Sequence, residues 1–335
     1  MDWRGRGTRV AVVGGAGFLG LHLARHLTYG RARVRAVDIR TDRPAGLPAA
    51  AEYVGGCDVS DAGKLRAAIR GCSAVVNLVG VISYWRRDRE RLWAVNCEGA
   101  AAVARACADE GVERFVHVSS SAALGFRNDP GDPIDEDFRF DWKSPLAKHY
   151  MVSKRAGDEA AALAIDRGVS TAIAHPAAMY GPGDTTNTAR LFTAVHRGRV
   201  RVVPPGGNAV VDVRDVALGI SLLLASERRT ERYLFVGQNL TFREIVEEVG
   251  RAVGRPARPA RLPRWSRQPL CASLRILEPM WSPEKMVAPD DLELGFMHRY
   301  ASSRRAEGAL GWKPSFTFGE TVADQARDLR ERGLL

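Results

Sequence analysis

Lysine is nearly missing from this 335-residue chain. Lys64, Lys143, Lys148, Lys154, Lys285 and Lys313 are all there is, against a formal net charge of +10, so the positive charge is almost entirely arginine. The arginines are spread along the whole length, and no recognisable nucleic-acid module accompanies them. A nucleic-acid partner is therefore not expected, although an anionic ligand would gain from the field. Cysteine is sparse too. Cys57, Cys72, Cys97, Cys107 and Cys271 are scattered, with no Cys-x-x-Cys pair and no nearby histidine pair. That argues against a disulfide scaffold and against a metal site. The thiols read as small buried apolar residues in a reducing compartment. Long apolar runs are also absent. No stretch of about 18 apolar residues occurs, so no integral membrane segment is expected. The opening residues Met1-Asp2-Trp3-Arg4-Gly5-Arg6 lack the apolar middle of a secretory leader, and a cytoplasmic location is expected.

What is present is a repeated alternation of strand and helix patterns. Residues 10–13 form a short apolar run that ends in a glycine cluster. Leu19, Leu23 and Leu27 follow at helical spacing. Residues 34–37, 74–79, 114–118 and 170–174 read as further strands. Residues 89–110 and 150–167 read as helices. This alternation predicts an α/β fold with a doubly wound parallel sheet of the Rossmann type. Beyond about residue 181 the texture changes. Pro204-Pro205-Gly206-Gly207 is a turn, residues 255–269 are rich in Pro and Arg, and helices are expected at 214–226, 241–253 and from 319 onward. The expected division is a dinucleotide-binding unit over residues 1–180, with later segments returning to it. A smaller, mostly helical capping region over 181–335 would hold the substrate.

Three patterns carry chemistry. Val13-Gly14-Gly15-Ala16-Gly17-Phe18-Leu19-Gly20 lies between the first strand and the first helix. Glycines there permit a tight turn, and backbone N–H groups and the helix N-terminus face a pyrophosphate. Asp38 ends the second strand, where a carboxylate accepts hydrogen bonds from ribose hydroxyls and repels a 2′-phosphate. NAD is thus expected over NADP, although Arg40 and Arg43 stand close enough to meet a 2′-phosphate. Asp38 can also be read as a plain strand-end turn residue. Asp58 can be read as a contact to the adenine amino group or, as an isolated Asp, as part of a helix N-cap region. Tyr150-x-x-x-Lys154 places a phenol and an ammonium on one helix face. An ammonium nearby stabilises phenolate, so the pair can exchange a proton with an alcohol near neutrality. The spacing alone is common by chance. Val118-Ser119-Ser120-Ser121 puts hydroxyls at the carboxyl edge of a strand, where open α/β sheets bind ligands. On their own the serines could equally cap a turn.

Taken together, these motifs resemble the extended short-chain dehydrogenases/reductases of the NAD-dependent epimerase/dehydratase superfamily. Val95-Asn96-Cys97-Glu98-Gly99, His175-Pro176-Ala177-Ala178-Met179-Tyr180-Gly181-Pro182-Gly183-Asp184, Val213-Arg214-Asp215-Val216-Ala217 and Leu310-Gly311-Trp312-Lys313-Pro314 occur in the family's order. The similarity covers almost the whole chain. It implies that Tyr150 is the acid/base, that Lys154 is its activator and also reaches the nicotinamide ribose, and that Ser120 donates to the substrate oxygen. Ser119 and Ser121 remain alternatives for that last role. It further implies an NAD site built from Gly14, Gly17, Phe18, Leu19, Gly20, Asp38, Arg40, Asp58, Val59, Leu78, Val79, Gly80, Asn96, Tyr150, Lys154 and Pro176. No metal is implied. A homodimer through the helical stretches 89–110 and 150–167 is one expected assembly.

Departures from the sugar-nucleotide pattern narrow the branch. The 4,6-dehydratases carry an Asp-Glu pair after the active-site hydroxyl residue, and here those positions are Ser121-Ala122. Many sugar-nucleotide members grip the nucleotide with an Arg where this chain has Asn208. The pattern is nearer to the dihydroflavonol-reductase and 3β-hydroxysteroid-dehydrogenase-like branch. The expected substrate is thus a small, fairly apolar secondary alcohol or ketone. The alternatives are a nucleotide-sugar epimerase with tightly held NAD, and a non-catalytic dinucleotide sensor. Leu270, Leu274 and Leu277 form a stripe that reads as a core or lid helix, or as a substrate wall or membrane-surface contact. Trp265, Met280 and Trp281 would suit an apolar ligand.

Overall fold

The computed structural model describes residues 8–226, 231–278 and 287–335. Met280 and Trp281 lie outside the described residues. The chain begins with β1 (Arg9–Val13), α1 (Phe18–Tyr29), β2 (Arg33–Val37), β3 (Glu52–Val54), α2 (Ala62–Ile69) and β4 (Ala74–Asn77). Next come α3 (Arg89–Trp93), one wide turn, α4 (Gly99–Asp109), β5 (Arg114–Val118), α5 (His149–Asp166) and β6 (Ser170–Pro176). The interior strand β1 is apolar on both faces, as a parallel sheet covered by helices on both sides requires. Val10 and Val12 pack under α1, whereas Ala11 and Val13 pack under the helices of the other face.

The second half follows as β7 (Ala178–Tyr180), α6 (Ala189–His196), β8 (Val202–Val203), β9 (Gly207–Asp212), α7 (Val213–Ala225), β10 (Glu231–Phe235), β11 (Gln238–Thr241) and α8 (Phe242–Ala252). It ends with β12 (Ala260–Arg261), α9 (Arg267–Leu277), α10 (Pro289–Gly295), β13 (His298–Arg299), α11 (Arg304–Leu310) and α12 (Phe318–Glu331). The main sheet has seven strands in the order β10-β6-β5-β4-β1-β2-β3. β10 forms one edge of it beside β6, and α7 packs against α1. The capping region is less helical than its sequence pattern indicates. β7, β11 and β13 all pair with β9 in a second sheet, and β8 pairs with β12. These strands run two to six residues and are made by distant partners, so local periodicity does not announce them.

The helices of this half follow sequence cues. Thr241 with Glu244 and Thr317 with Glu320 form capping boxes at the starts of α8 and α12. Phe192, Ile245, Val249, Phe318 and Leu329 build a separate apolar core there. Trp312, fully buried, donates from its indole to the Asp215 carbonyl at 2.9 Å, and the Asp215 carboxylate accepts from the Ser315 backbone at 3.0 Å. The late Gly-Trp-Lys-Pro motif is thereby stapled to the start of α7.

Candidate active site

A cavity of about 500 Å³ opens at the carboxyl ends of the parallel strands. At one end it is lined by Gly14, Gly17, Phe18, Leu19 and Gly20, and at the other by Ser119, Ser120, Ser121, Tyr150, Lys154 and Pro176. Gly14 sits at φ +84°, and its N–H donates to the Val37 carbonyl at 2.8 Å. At Gly20 a Cβ would lie 2.6 Å from the Gly14 carbonyl oxygen, so only glycine lets α1 start this close to the turn. The first turn of α1 has neither a side-chain cap nor an acidic residue. Its N–H groups are thus available to a pyrophosphate, which is where the residues fit a dinucleotide.

The Asp38 carboxylate accepts from the Ala16 backbone at 2.9 Å and from the Arg40 backbone at 3.1 Å. That pins it beside the glycine turn, at the position a ribose would need. Arg40 is exposed. The Arg43 guanidinium is engaged with the Ala51 and Pro48 carbonyls at 3.0 and 2.6 Å, and so is tied to its own loop. Leu78 and Gly80 line the cavity, and a Cβ at Gly80 would stand 3.4 Å from the Lys154 ammonium. Val79 and Val59 pack toward the core, so a ligand could use only their backbones. Asp58 faces solvent, and its carboxylate accepts from the Ser60 backbone and hydroxyl at 2.8 Å each. Asn96 is buried away from the cavity. It holds Val81 by both backbone groups, at 2.8 and 3.0 Å, and donates to Ser153 at 3.0 Å. Its role is to fasten the loop after β4 to α5.

Tyr150 and Lys154 occupy the first two turns of α5, both buried. Ser120 lines the cavity together with Tyr150, its hydroxyl accepting from the Ala122 backbone at 3.2 Å, whereas the Ser119 hydroxyl is buried without a hydrogen-bond partner. Burial pushes the Tyr150 phenol above its ordinary value, while Ser120 and the guanidinium of Arg299 pull it down. This differs from the sequence expectation, in which Lys154 sets the phenol. Desolvation is the larger influence because the site is enclosed. The Lys154 ammonium donates to the Val118 carbonyl at 3.2 Å and is itself pushed down to about 8 by burial, with Asp158 opposing.

Beneath Lys154 lies a buried polar chain that sequence reading did not assemble. His175 meets the Asp158 carboxylate at 2.7 Å, and His117 stands 3.9 Å from the same group. His175, which ends β6, is thereby the partner of a carboxylate on α5. The cavity also carries residues no motif announced: Tyr84, Asn187, Asp291 and Arg299. The lid stripe stays apart from it. Leu270, Leu274 and Leu277 are half-buried off the cavity, and Trp265 is 77% exposed.

A glycine turn over a parallel sheet, joined in one cavity to Ser, Tyr and Lys, defines an extended short-chain dehydrogenase/reductase. A family model described as the NAD dependent epimerase/dehydratase family matches residues 10–236, and the chain belongs to that family. NAD is its cofactor. The chain is 27% identical over 328 residues to sterol demethylase protein B of Methylococcus capsulatus, covering 97% of this chain and 99% of that one. It is 26% identical over 343 residues to a 3 beta-hydroxysteroid dehydrogenase/Delta 5→4-isomerase of Mycobacterium tuberculosis, covering 94% and 89%. The crystal structure of gox2253 superposes with a TM-score of 0.82 at 26% identity, covering 97% and 99%.

Proposed function

We propose that this enzyme interconverts a secondary alcohol and a ketone on a small, fairly apolar substrate, and releases its nicotinamide product. The carrying observation is that Ser120, Tyr150 and Lys154 share one cavity whose positions after Ser120 hold no acid pair. Ser121 and Ala122 both line it, where a 4,6-dehydratase would place an acid pair. Ile82, Phe126, Ile134, Met151 and Met179 supply apolar walls, which fits a carbon skeleton better than a sugar. The bound nicotinamide supplies or accepts the hydride. Ser120 aligns the substrate oxygen, Tyr150 gives or takes its proton, and Lys154 supports the charge that develops on the phenol.

The test is a substrate screen followed by absorbance, with NAD or NADH added to panels of hydroxysteroids, simple ketones and nucleotide sugars. Turnover of alcohols or ketones that depends on added dinucleotide is expected. Conversion of a nucleotide sugar with no dinucleotide added would replace this reading by the epimerase one.

We assign the protein to the cytoplasm and to a homodimer. All five cysteines are free, as a reducing compartment allows. Among the described residues no helix is long and apolar enough to cross a membrane. Val152 and Leu163 lie three turns apart on one face of α5, exposed, with exposed Trp93 on α3. Such a face favours a bundle with a second copy. Leu163→Glu is expected to yield a monomer by light scattering, and an unaltered mass for the variant would reject this interface.

A further inference from the structure

Two stretches of this chain hold no acidic residue, 185–211 and 249–277. In the second, Arg255, Arg258, Arg261, Arg264 and Arg267 recur at every third position. The fold brings the two stretches together. β8 pairs in parallel with β12, Ala260 standing opposite Val202, and the Ala260 N–H donates to the Arg201 carbonyl at 3.0 Å. The Arg255 guanidinium lies over Gly198, where a Cβ would collide with it. Arg199, Arg201, Arg255, Arg258, Arg261 and Arg264 are all exposed, and among the described residues none of them forms an ion pair. Like charges gathered this way repel one another, so the surface gains from an anionic partner. Apolar side chains stand among them. Trp265 is 77% exposed, Val202 of β8 is 54% exposed, and Ile276 of α9 is 76% exposed. α9 buries Cys271 and turns Arg275 inward to Glu293 at 2.6 Å. Its opposite side shows Pro269, Ala272, Ser273 and Ile276, all exposed and none charged. A helix that only had to face water would carry charges there.

We propose that this face docks the enzyme on an anionic lipid bilayer, with Trp265 and Ile276 seated in the headgroup layer and the arginines on the lipid phosphates. Charge complementarity favours that occupant, because the surface is basic and apolar at once. An arginine stem covers apolar surface while its guanidinium stays with phosphate. An indole suits the boundary between water and hydrocarbon. A nucleic acid would answer the arginines, but it would leave Ile276, Val202 and the uncharged side of α9 without a partner. At eleven residues α9 is too short to cross a bilayer, and it lies in the interface plane as amphipathic helices do. One helix joins this face to the reaction site. Arg275 of α9 pairs with Glu293 of α10, and Asp291 of α10 lines the cavity. A fairly apolar substrate partitions into the same bilayer. The docking itself does not depend on which alcohol or ketone the enzyme uses.

The experiment is flotation of the full chain, with NAD added, on vesicles of phosphatidylcholine alone and of phosphatidylcholine with about 30% phosphatidylglycerol. The wild type should float with the anionic vesicles and stay behind with the neutral ones. Arg258→Glu combined with Arg264→Glu should lower the partition about 30-fold or more. Trp265→Ser combined with Ile276→Ser should lower it about 10-fold. Arg33→Glu combined with Arg304→Glu makes the same change of net charge on β2 and α11, and should float like the wild type. All six positions are exposed, and an unchanged thermal midpoint and NAD affinity separate lost docking from lost folding. Failure of the wild type to float, or an equal loss in the two arginine pairs, overturns the proposal. Full flotation of the Trp265→Ser and Ile276→Ser protein overturns it as well, since charge alone would then hold the vesicle. Tighter binding of a single-stranded RNA, lost in the Arg258→Glu and Arg264→Glu protein, assigns the face to nucleic acid and likewise overturns it.

Discussion

Tyr150→Phe is expected to lower kcat about 10³-fold in both directions, with NAD affinity essentially unchanged. The phenyl ring keeps the packing of the buried position and its edge contact with Tyr84. Only the hydroxyl is lost, and with it the proton that the residue would give or take. The glycine turn, which the Asp38 carboxylate braces through Ala16, lies at the far end of the cavity from Tyr150. The expected pH behaviour follows from the direction of the shift. Burial holds the phenol protonated at neutral pH, so the cofactor-free protein is set up to donate a proton to a developing alkoxide. Reduction should therefore stay fast at neutral pH and fall as pH passes the phenol's value in the complex. Oxidation, which needs the phenolate, should rise across the same interval. Stopped-flow measurement of hydride transfer against pH checks both limbs. A Tyr150→Phe enzyme that turns over at the wild-type rate would remove the residue from the chemistry.

The part of this site legible in the sequence is the part that neighbouring residues make. Gly14, Gly17 and Gly20 sit in a turn whose strand and helix adjoin it, and Tyr150 and Lys154 share one helix face. Local spacing is enough for such groups, because one backbone geometry fixes them all. The substrate end is different. Arg299 meets Asn208 only because β13 pairs with β9, and β13 is two residues long. No periodic pattern can signal a strand that short. Asp158 and His175 likewise meet by packing α5 against β6, so their pairing is not written in the spacing of either motif. The direction of the Tyr150 shift was out of reach for a third reason. Desolvation depends on how completely the cavity walls close, and those walls come from segments scattered between Gly14 and Ala301.

Acid is expected to destabilise the protein well above the pH at which carboxylates titrate, with His117 as the largest single cause. His117 is fully buried, and its pKa is pushed down to about 3, by burial first and by the Lys154 charge second, against the pull of Asp158. Its Nδ1 faces the Asn77 amide at 3.2 Å, and Asn77 accepts from the Val79 backbone at 3.1 Å. The Asn77 NH₂ therefore donates, Nδ1 accepts, and the neutral imidazole carries its proton on Nε2 toward Asp158. As pH falls below about 6.5 the unfolded chain takes up a proton on this imidazole that the folded chain refuses until about pH 3. Falling pH thus favours unfolding throughout that window, by roughly 2 kcal/mol at pH 5 relative to neutrality. His22, His149 and His298 are also held low, each by burial first, and add to the same slope. Asp158 acts elsewhere. Burial would raise it, yet His175 and His117 hold it low, so its contribution is present above the ordinary carboxylate range and is lost only below it. Equilibrium urea unfolding at pH 7.5 and pH 5 should show the wild type losing several kcal/mol. In His117→Asn, whose carbonyl can still accept from Asn77, the loss should shrink by about the 2 kcal/mol assigned above, whatever the variant's absolute stability. Identical pH slopes in the two proteins would mean that the imidazole titrates alike in the folded and unfolded chains, and would end this account of the buried network beneath Lys154.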